Sequence, residues 1–159
     1  NKREPWHYPA IAPIIKKWWK LRYTLIPYII AQSRKAISSG APLLQALIFH
    51  HPEDKLCWHI DDEYYFGNDF LVAPVMNSEN RRDVYLPEGQ WVNFFTGEVL
   101  EGGRWLKDLD VPLDEMPVYV RQGATIPVYP DEVECTDEMD LSKSAELHID
   151  NHFKGIFKD

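Results

Sequence analysis

The stretch Phe70-Leu71-Val72-Ala73-Pro74-Val75 decides how the chain is read, because the texture of the sequence changes there. Downstream, short apolar or alternating runs follow one another: Asp83-Val84-Tyr85-Leu86, Trp91-Val92-Asn93-Phe94-Phe95, Val118-Tyr119-Val120 and Thr125-Ile126-Pro127-Val128-Tyr129. Turn formers separate them, at Pro87-Glu88-Gly89, Thr96-Gly97, Gly102-Gly103 and Gln122-Gly123. Strand-length runs of β-branched and aromatic residues punctuated in this way predict an antiparallel β-sandwich. Pro74 and Pro127 lack the N–H that a ladder needs, so their strands are expected at edges or bulges. Ala145 to Ile149 reads as one more strand, and Asp131 to Asp140, with six acids and no base, as a solvated loop.

Upstream of Phe70 the pattern is helical. Ile14, Trp18, Leu21, Leu25 and Tyr28 recur at steps of four and three, and Ile15, Trp19, Ile26, Ile30 and Ile37 trace a second stripe, which predicts a helix from Ile11 to Ser38 with a wide apolar face. Pro13 suits its first turn and Gly40 its left-handed end, while Pro27 is expected to kink it. Leu43 to Phe49 is nearly continuously apolar, which fits a strand of a parallel sheet buried on both faces. Asp61 and Asp62 stand where an N-cap would start a short helical turn through Glu63, Tyr64 and Tyr65, closed by Gly67. Residues 1–68 thus have α/β character and residues 69–159 sandwich character.

Composition narrows the partners. The chain has 159 residues, and 17 Lys and Arg against 25 Asp and Glu give a net charge of −8, with 45% hydrophobic and 13% aromatic residues. Enough apolar side chain is present to bury a core, so a disordered chain is excluded. Nucleic acid is not expected as a partner, since nonspecific affinity for it comes from cations that displace counterions. No apolar run approaches the roughly 20 residues of a membrane span, so no membrane partner is expected. Cys57 and Cys135 form no disulfide framework and neither has ligands at zinc spacing, which points to a reducing, cytoplasmic compartment and to no metal or other cofactor. The chain begins at Asn1 without methionine or a signal-peptide apolar region, and is expected to be a piece of something longer.

The chemistry-bearing residues are less eloquent. Three carboxylate pairs, Asp61 with Asp62, Asp108 with Asp110 and Asp114 with Glu115, are read as caps and solvated surface, because spacing alone cannot set two carboxyl pKa values apart. His50 and His51 would point to opposite faces of a continuing strand and so could not share one metal ion with His59. Trp91, Phe94, Phe95, Trp105 and Tyr119 could form a platform for sugar rings, although aromatics in sandwich strands usually fill the core. Cys57 has no neighbour that would depress its pKa and reads as inert.

Five blocks in order carry a resemblance: Arg3-Glu4-Pro5-Trp6, then Leu21-Arg22-Tyr23-Thr24-Leu25-Ile26-Pro27-Tyr28, then Tyr65-Phe66-Gly67-Asn68-Asp69-Phe70-Leu71-Val72-Ala73-Pro74-Val75, then Tyr85-Leu86-Pro87-Glu88-Gly89-Gln90-Trp91, and Pro117-Val118-Tyr119-Val120-Arg121-Gln122-Gly123. Together they resemble glycoside hydrolase family 31, from the end of its catalytic (β/α)8 barrel into the proximal C-terminal β-sandwich. The resemblance implies an α+β fragment, with residues 1–68 ending the barrel and 69–159 forming the sandwich. It implies a parent α-glucosidase or α-xylosidase that acts by double displacement on an oligosaccharide or other α-glycoside. The two aspartates of that mechanism belong to the region upstream, and the Trp-x-Asp-Met-Asn type motif of the nucleophile does not occur here. No catalytic residue carries over, substrate-binding residues stay unassigned, and the segment is expected to be inactive alone. Gln45 stands where many members have arginine, and His50-His51 replaces an acidic-aromatic pair. The stretches Cys57 to Asp62 and Gly102 to Trp105 look closer to bacterial α-xylosidase-like members. Two other readings remain: a carbohydrate-binding module, and a structural sandwich that self-associates through an exposed barrel surface.

Overall fold

In the computed structural model, which describes residues 4–156, alternation along Phe70–Val72 shows how the central sheet is built. Leu71 points into one buried cluster and Phe70 to the opposite face, where its ring meets Phe94 edge-on with centroids 4.9 Å apart. Successive side chains of a strand project to opposite sides, so a strand buried at all three positions must be covered on both faces. Such a strand belongs in the middle of a sheet.

The elements run α1 (Ala12–Thr24), α2 (Ile26–Ser39), β1 (Leu44–Ala46), β2 (Tyr64–Phe66), β3 (Phe70–Val72), β4 (Arg81–Leu86), β5 (Gln90–Asn93), β6 (Val99–Glu101), β7 (Arg104–Asp110), β8 (Val118–Arg121), β9 (Thr125–Val128) and β10 (Ala145–His148). Short 3-10 turns include Leu47–Phe49 and Lys55–Trp58. A six-stranded sheet has the order β1-β2-β3-β8-β5-β6, β4 pairs with β7, and β9 pairs with β10. Pairing is antiparallel throughout the six-stranded sheet and the β4–β7 ribbon, with a register shift between Arg82 and Val84.

The register aligns Tyr65 with Leu71, Leu71 with Tyr119 and Trp91 with Arg121. Tyr65, Leu71, Trp91 and Tyr119 thereby share one face, and Val84, Tyr85 and Leu86 of β4 join them in a single buried cluster. The ribbon covering the sheet makes a two-layer, mostly antiparallel architecture of the sandwich type. On the other face, Phe94 packs between Phe70 and Phe153. The chain forms two compact units, one from residues up to Ala31 with Ile126–Leu147, the other from Gln32–Thr125 with residues from His148 on. In the first, Leu21, Leu25, Tyr28 and Tyr129 are buried, Tyr129 N donates to Thr24 O at 2.8 Å, and Lys20 pairs with Glu132 at 2.8 Å.

Several expectations are corrected. The single kinked helix is two, interrupted at Leu25, with Pro27 in the first turn of α2, where the missing N–H costs no helical bond. Leu43 to Phe49 is no parallel strand: β1 is an antiparallel edge strand with β2 as its neighbour, exposed at Leu44 and Ala46, and Leu47–Phe49 is a 3-10 turn. Tyr64–Phe66 is a strand rather than a helical turn, because Tyr65 gains complete burial between Gln45 and Leu71 in register, and Gly67 at φ 65° opens the hairpin turn. Strand pairing therefore crosses the 68/69 division. Strands β6 and β7 were not expected. Gly40 does end α2 in the left-handed region, at φ 75°, with its N–H on Ala36 O. Arg3 and residues 157–159 lie outside the described residues. Among the described residues no helix is long and apolar enough to cross a membrane.

Candidate functional site

The first turn after β1 brings two histidines to one tyrosine. Because Leu47–Phe49 coils as 3-10, strand alternation ends before His50, and the expectation that His50 and His51 diverge does not hold. The His50 ring stacks on Tyr65 with centroids 4.0 Å apart and planes 27° from parallel, and His51 Nε2 lies 2.8 Å from Tyr65 Oη. Arg121, at the end of β8, donates from Nη2 to the same Oη at 3.0 Å and lies 3.5 Å from His51 Nε2. Arg121 can only donate, so if its 3.5 Å approach is a bond then His51 Nε2 accepts, and the Tyr65 hydroxyl hydrogen goes to Nε2 as well. The guanidinium also covers the rings of Tyr65 and Trp91, 5.3 Å from each centroid.

Electrostatics agree with neutral imidazoles. Burial, then the Arg121 charge, then His51 bring the His50 pKa down to about 4, and burial and Arg121 also lower that of His51 against the pull of Glu53 and Asp54. Burial drives the Tyr65 hydroxyl well above its usual range.

His51 opens onto a cavity of about 610 Å³ that is also lined by Glu53, Asp54, Tyr85, Glu88 and Glu101. Burial pushes Asp54 up, but bonds from the Tyr85 hydroxyl at 2.6 Å, from Leu56 N at 3.0 Å and from Cys57 outweigh it and hold the carboxyl below its ordinary value. Burial and the nearby Asp54 in turn raise the Cys57 thiol to about 12, so this cysteine carries no thiolate at neutral pH. Two tight loops, Glu88-Gly89-Gln90 and Glu101-Gly102-Gly103, close the cavity, held by Gly102 N on Gly89 O at 2.8 Å.

Acid–base work by two carboxyl groups needs one of them kept protonated beside an ionised partner in the same pocket. Glu63 is raised to about 7 by burial, which a bond from Tyr85 N at 2.8 Å and Arg82 at 3.5 Å do not offset. Its side chain is sealed in the core and does not line the cavity. Arg82 holds this corner together, donating to Pro74 O and to Asp62 O and pairing with Asp62 at 3.1 Å.

The residues singled out from sequence are dispersed. Asp62 and Asp108 pair with Arg82 and Arg81, while Asp61, Asp110 and Glu115 are exposed and Asp114 is half-buried. His59 is exposed, away from the His50–His51 cluster. Trp91, Phe94 and Tyr119 are core residues at 1%, 1% and 3% exposure, Phe95 is half-buried, and Trp105 is exposed at 37% but already covered by Lys107, 4.5 Å from its centroid. No flat platform forms from these rings. Arg121, Tyr65, Asp54, Tyr85 and Glu63 were not singled out. A signal was present for Arg121, a cation directly after the apolar run Val118 to Val120, and for Glu63, an acid beside two tyrosines.

Comparisons with known proteins give a consistent picture. A family model described as the glycosyl hydrolase family 31 C-terminal domain matches residues 40–126. Alpha-glucosidase 2 of Bacillus thermoamyloliquefaciens is 33% identical over 99% of this chain and 19% of its own length. An alpha-xylosidase of Saccharolobus solfataricus is 37% identical over 86% of this chain and 19% of its own. Among solved structures, a Flavobacterium johnsoniae GH31 dextranase complexed with glucose superposes with a TM-score of 0.77 at 36% identity, over 82% of this chain and 16% of that one. The chain thus spans about a fifth of the length of the curated relatives it matches.

Proposed function

This chain belongs to glycosyl hydrolase family 31, whose members are glycoside hydrolases, and from that premise we propose that it serves as the non-catalytic C-terminal portion of a retaining α-glycosidase acting on terminal α-linked glucose or xylose. One observation carries the reading: nearly the whole chain aligns with 19% of an α-glucosidase. The helices before residue 40 would then contribute to the closing elements of a (β/α)8 barrel, and the antiparallel layers would buttress it. The free thiols Cys57 and Cys135 support a reducing, cytoplasmic compartment.

Inactivity of the isolated chain follows from electrostatics. Glycosyl transfer to a carboxylate needs a nucleophile and a protonated acid a few ångströms apart in one pocket, and here the raised carboxyl, Glu63, is sealed away from the cavity. The test is an assay of the 159-residue chain on aryl α-glucoside and aryl α-xyloside. No turnover above background is expected, and turnover that co-purifies with the chain would overturn the reading. The same assay on the chain joined to its upstream coding region should show hydrolysis with retention of configuration.

A further inference from the structure

The segment between Leu47 and Cys57 is anchored at its two ends, since both residues are buried in the cluster around Tyr65. Between them, His50 N and His51 N donate to Leu47 O at 3.1 and 3.0 Å, and Asp54 N donates to His51 O at 3.2 Å. These bonds are internal to the segment and can break without disturbing the sheet. The two imidazoles are held instead by the Tyr65 side chain, His50 stacked on its ring and His51 at its hydroxyl. Arg121 shares that hydroxyl with Nη2 3.5 Å from His51 Nε2, and among the described residues no carboxylate pairs with this guanidinium. His50 Nε2 is sealed from solvent without a hydrogen-bond partner. A proton added to either ring therefore creates a second cation near an unneutralised one, and a fully protonated His50 would also bury an unpaired N–H.

We propose that this segment is an acid-operated latch: with His50 and His51 neutral it lies closed on Tyr65, and with them protonated it lifts away from Arg121, carrying His51 from the wall of the larger cavity toward Glu53 and Asp54. The charges around the pair set this direction. Arg121, from β8, opposes both protons, while Glu53 and Asp54, on the segment itself, favour the one on His51. Glu88 and Glu101, on the two loops that close the cavity, add negative charge to the space His51 enters. Tyr65 from β2, Tyr85 from β4 and Cys57 from the 3-10 turn Lys55–Trp58 keep their protons far above neutral pH and stay uncharged. Burial is the largest cause that keeps both rings neutral when the latch is closed, and opening removes it together with the Arg121 charge. The closed form therefore binds fewer protons than the open one. For His50, lowered from 6.5 to about 4, closure is favoured in full above 6.5 and progressively less as the pH falls toward 4.

The latch is a property of this chain and does not depend on the α-glycosidase reading. Amide hydrogen exchange on the isotope-labelled 159-residue chain reads it, with protection taken relative to an unstructured peptide at the same pH. From about pH 7 to about pH 5 the His50, His51 and Asp54 amides should lose protection by about tenfold or more. Ala73 N and Phe94 N, bonded to Pro117 O and Val118 O at the ends of β3 and β5, are the controls and should keep theirs. The imidazole nitrogens of His50 and His51 should titrate over the interval in which the three amides open. Combining His50→Gln with His51→Gln, which leaves no ring to protonate, should abolish the loss. Unchanged protection at the three amides overturns the latch, as does a parallel loss at Ala73 and Phe94, which is unfolding of the whole unit. A loss that persists in the double variant overturns it too. Should that variant fail to fold, the unaltered chain still decides, because imidazoles that titrate outside the opening interval exclude the histidines as its cause.

Discussion

At the scale of single residues, two titratable groups whose ordinary protonation the fold opposes make the stability of this chain depend on pH. His50 is lowered from 6.5 to about 4, so the unfolded chain binds more protons across that interval, and stability must fall as the pH drops. Its contribution is complete above 6.5 and is lost on passing down through 4. Glu63 has the opposite sign: raised from 4.5 to about 7, it contributes fully below 4.5 and ceases to contribute as the pH rises through 7. Urea unfolding followed from pH 4 to pH 7 should therefore show a shallow maximum, with His50→Gln flattening the acid limb and Glu63→Gln the neutral one. If neither substitution changes its limb, the two groups are not the titrating ones. Burial first, and then the charge of Arg121 near both rings, explain why His50 and His51 resist protonation together.

At the scale of elements, the β5–β6 hairpin and the loop before it depend on one close approach. A Cβ on Gly102 would lie 1.9 Å from Pro87 O, a contact that backbone cannot relieve by rotating a side chain. Gly102 N is meanwhile bonded to Gly89 O, so any shift that makes room also loosens the loop lining the larger cavity. Gly102→Ala is expected to destabilise the chain by about 1–3 kcal/mol, read as a lowered urea midpoint, the range for overpacking a well-filled site. Gly89→Ala, where the added Cβ meets nothing within 4 Å, separates steric from conformational cost, because Gly89 has φ 126° and pays only the latter. Equal midpoints for Gly102→Ala and the unaltered chain would refute the steric account. Trp91 anchors the same corner from within, donating from Nε1 to Pro87 O at 2.8 Å.

At the scale of the whole molecule, apolar surface and net charge act against each other. Phe49, Leu56 and Trp58 are exposed on two 3-10 turns of one unit, at 65%, 48% and 60%. Clustered apolar exposure favours association, while a charge of −8 keeps copies apart until salt screens it over a Debye length of about 8 Å at physiological ionic strength. Light scattering should show the chain associating as concentration and salt increase, and Phe49→Ser combined with Trp58→Ser should return it to monomer. A monomer at every salt concentration would rule this out.

Sequence by itself determined the local layout. The runs at Phe70, Val84, Trp91, Val118 and Thr125 are strands and Gly40 ends a helix, because period and left-handed glycine are properties of neighbouring residues. The five ordered blocks also led to the family. Strand β7 escaped because four of its seven residues are charged and most face solvent, and β6 because three residues are too few to show a period. Tertiary structure decided that Leu44–Ala46 is an antiparallel edge, that Tyr64–Phe66 pairs as a strand, and that the aromatic series fills a core instead of forming a platform. It also decided that His51, Tyr65 and Arg121 meet. They are far apart along the chain, and their convergence depends on strand register and on one 3-10 turn, which no local pattern encodes.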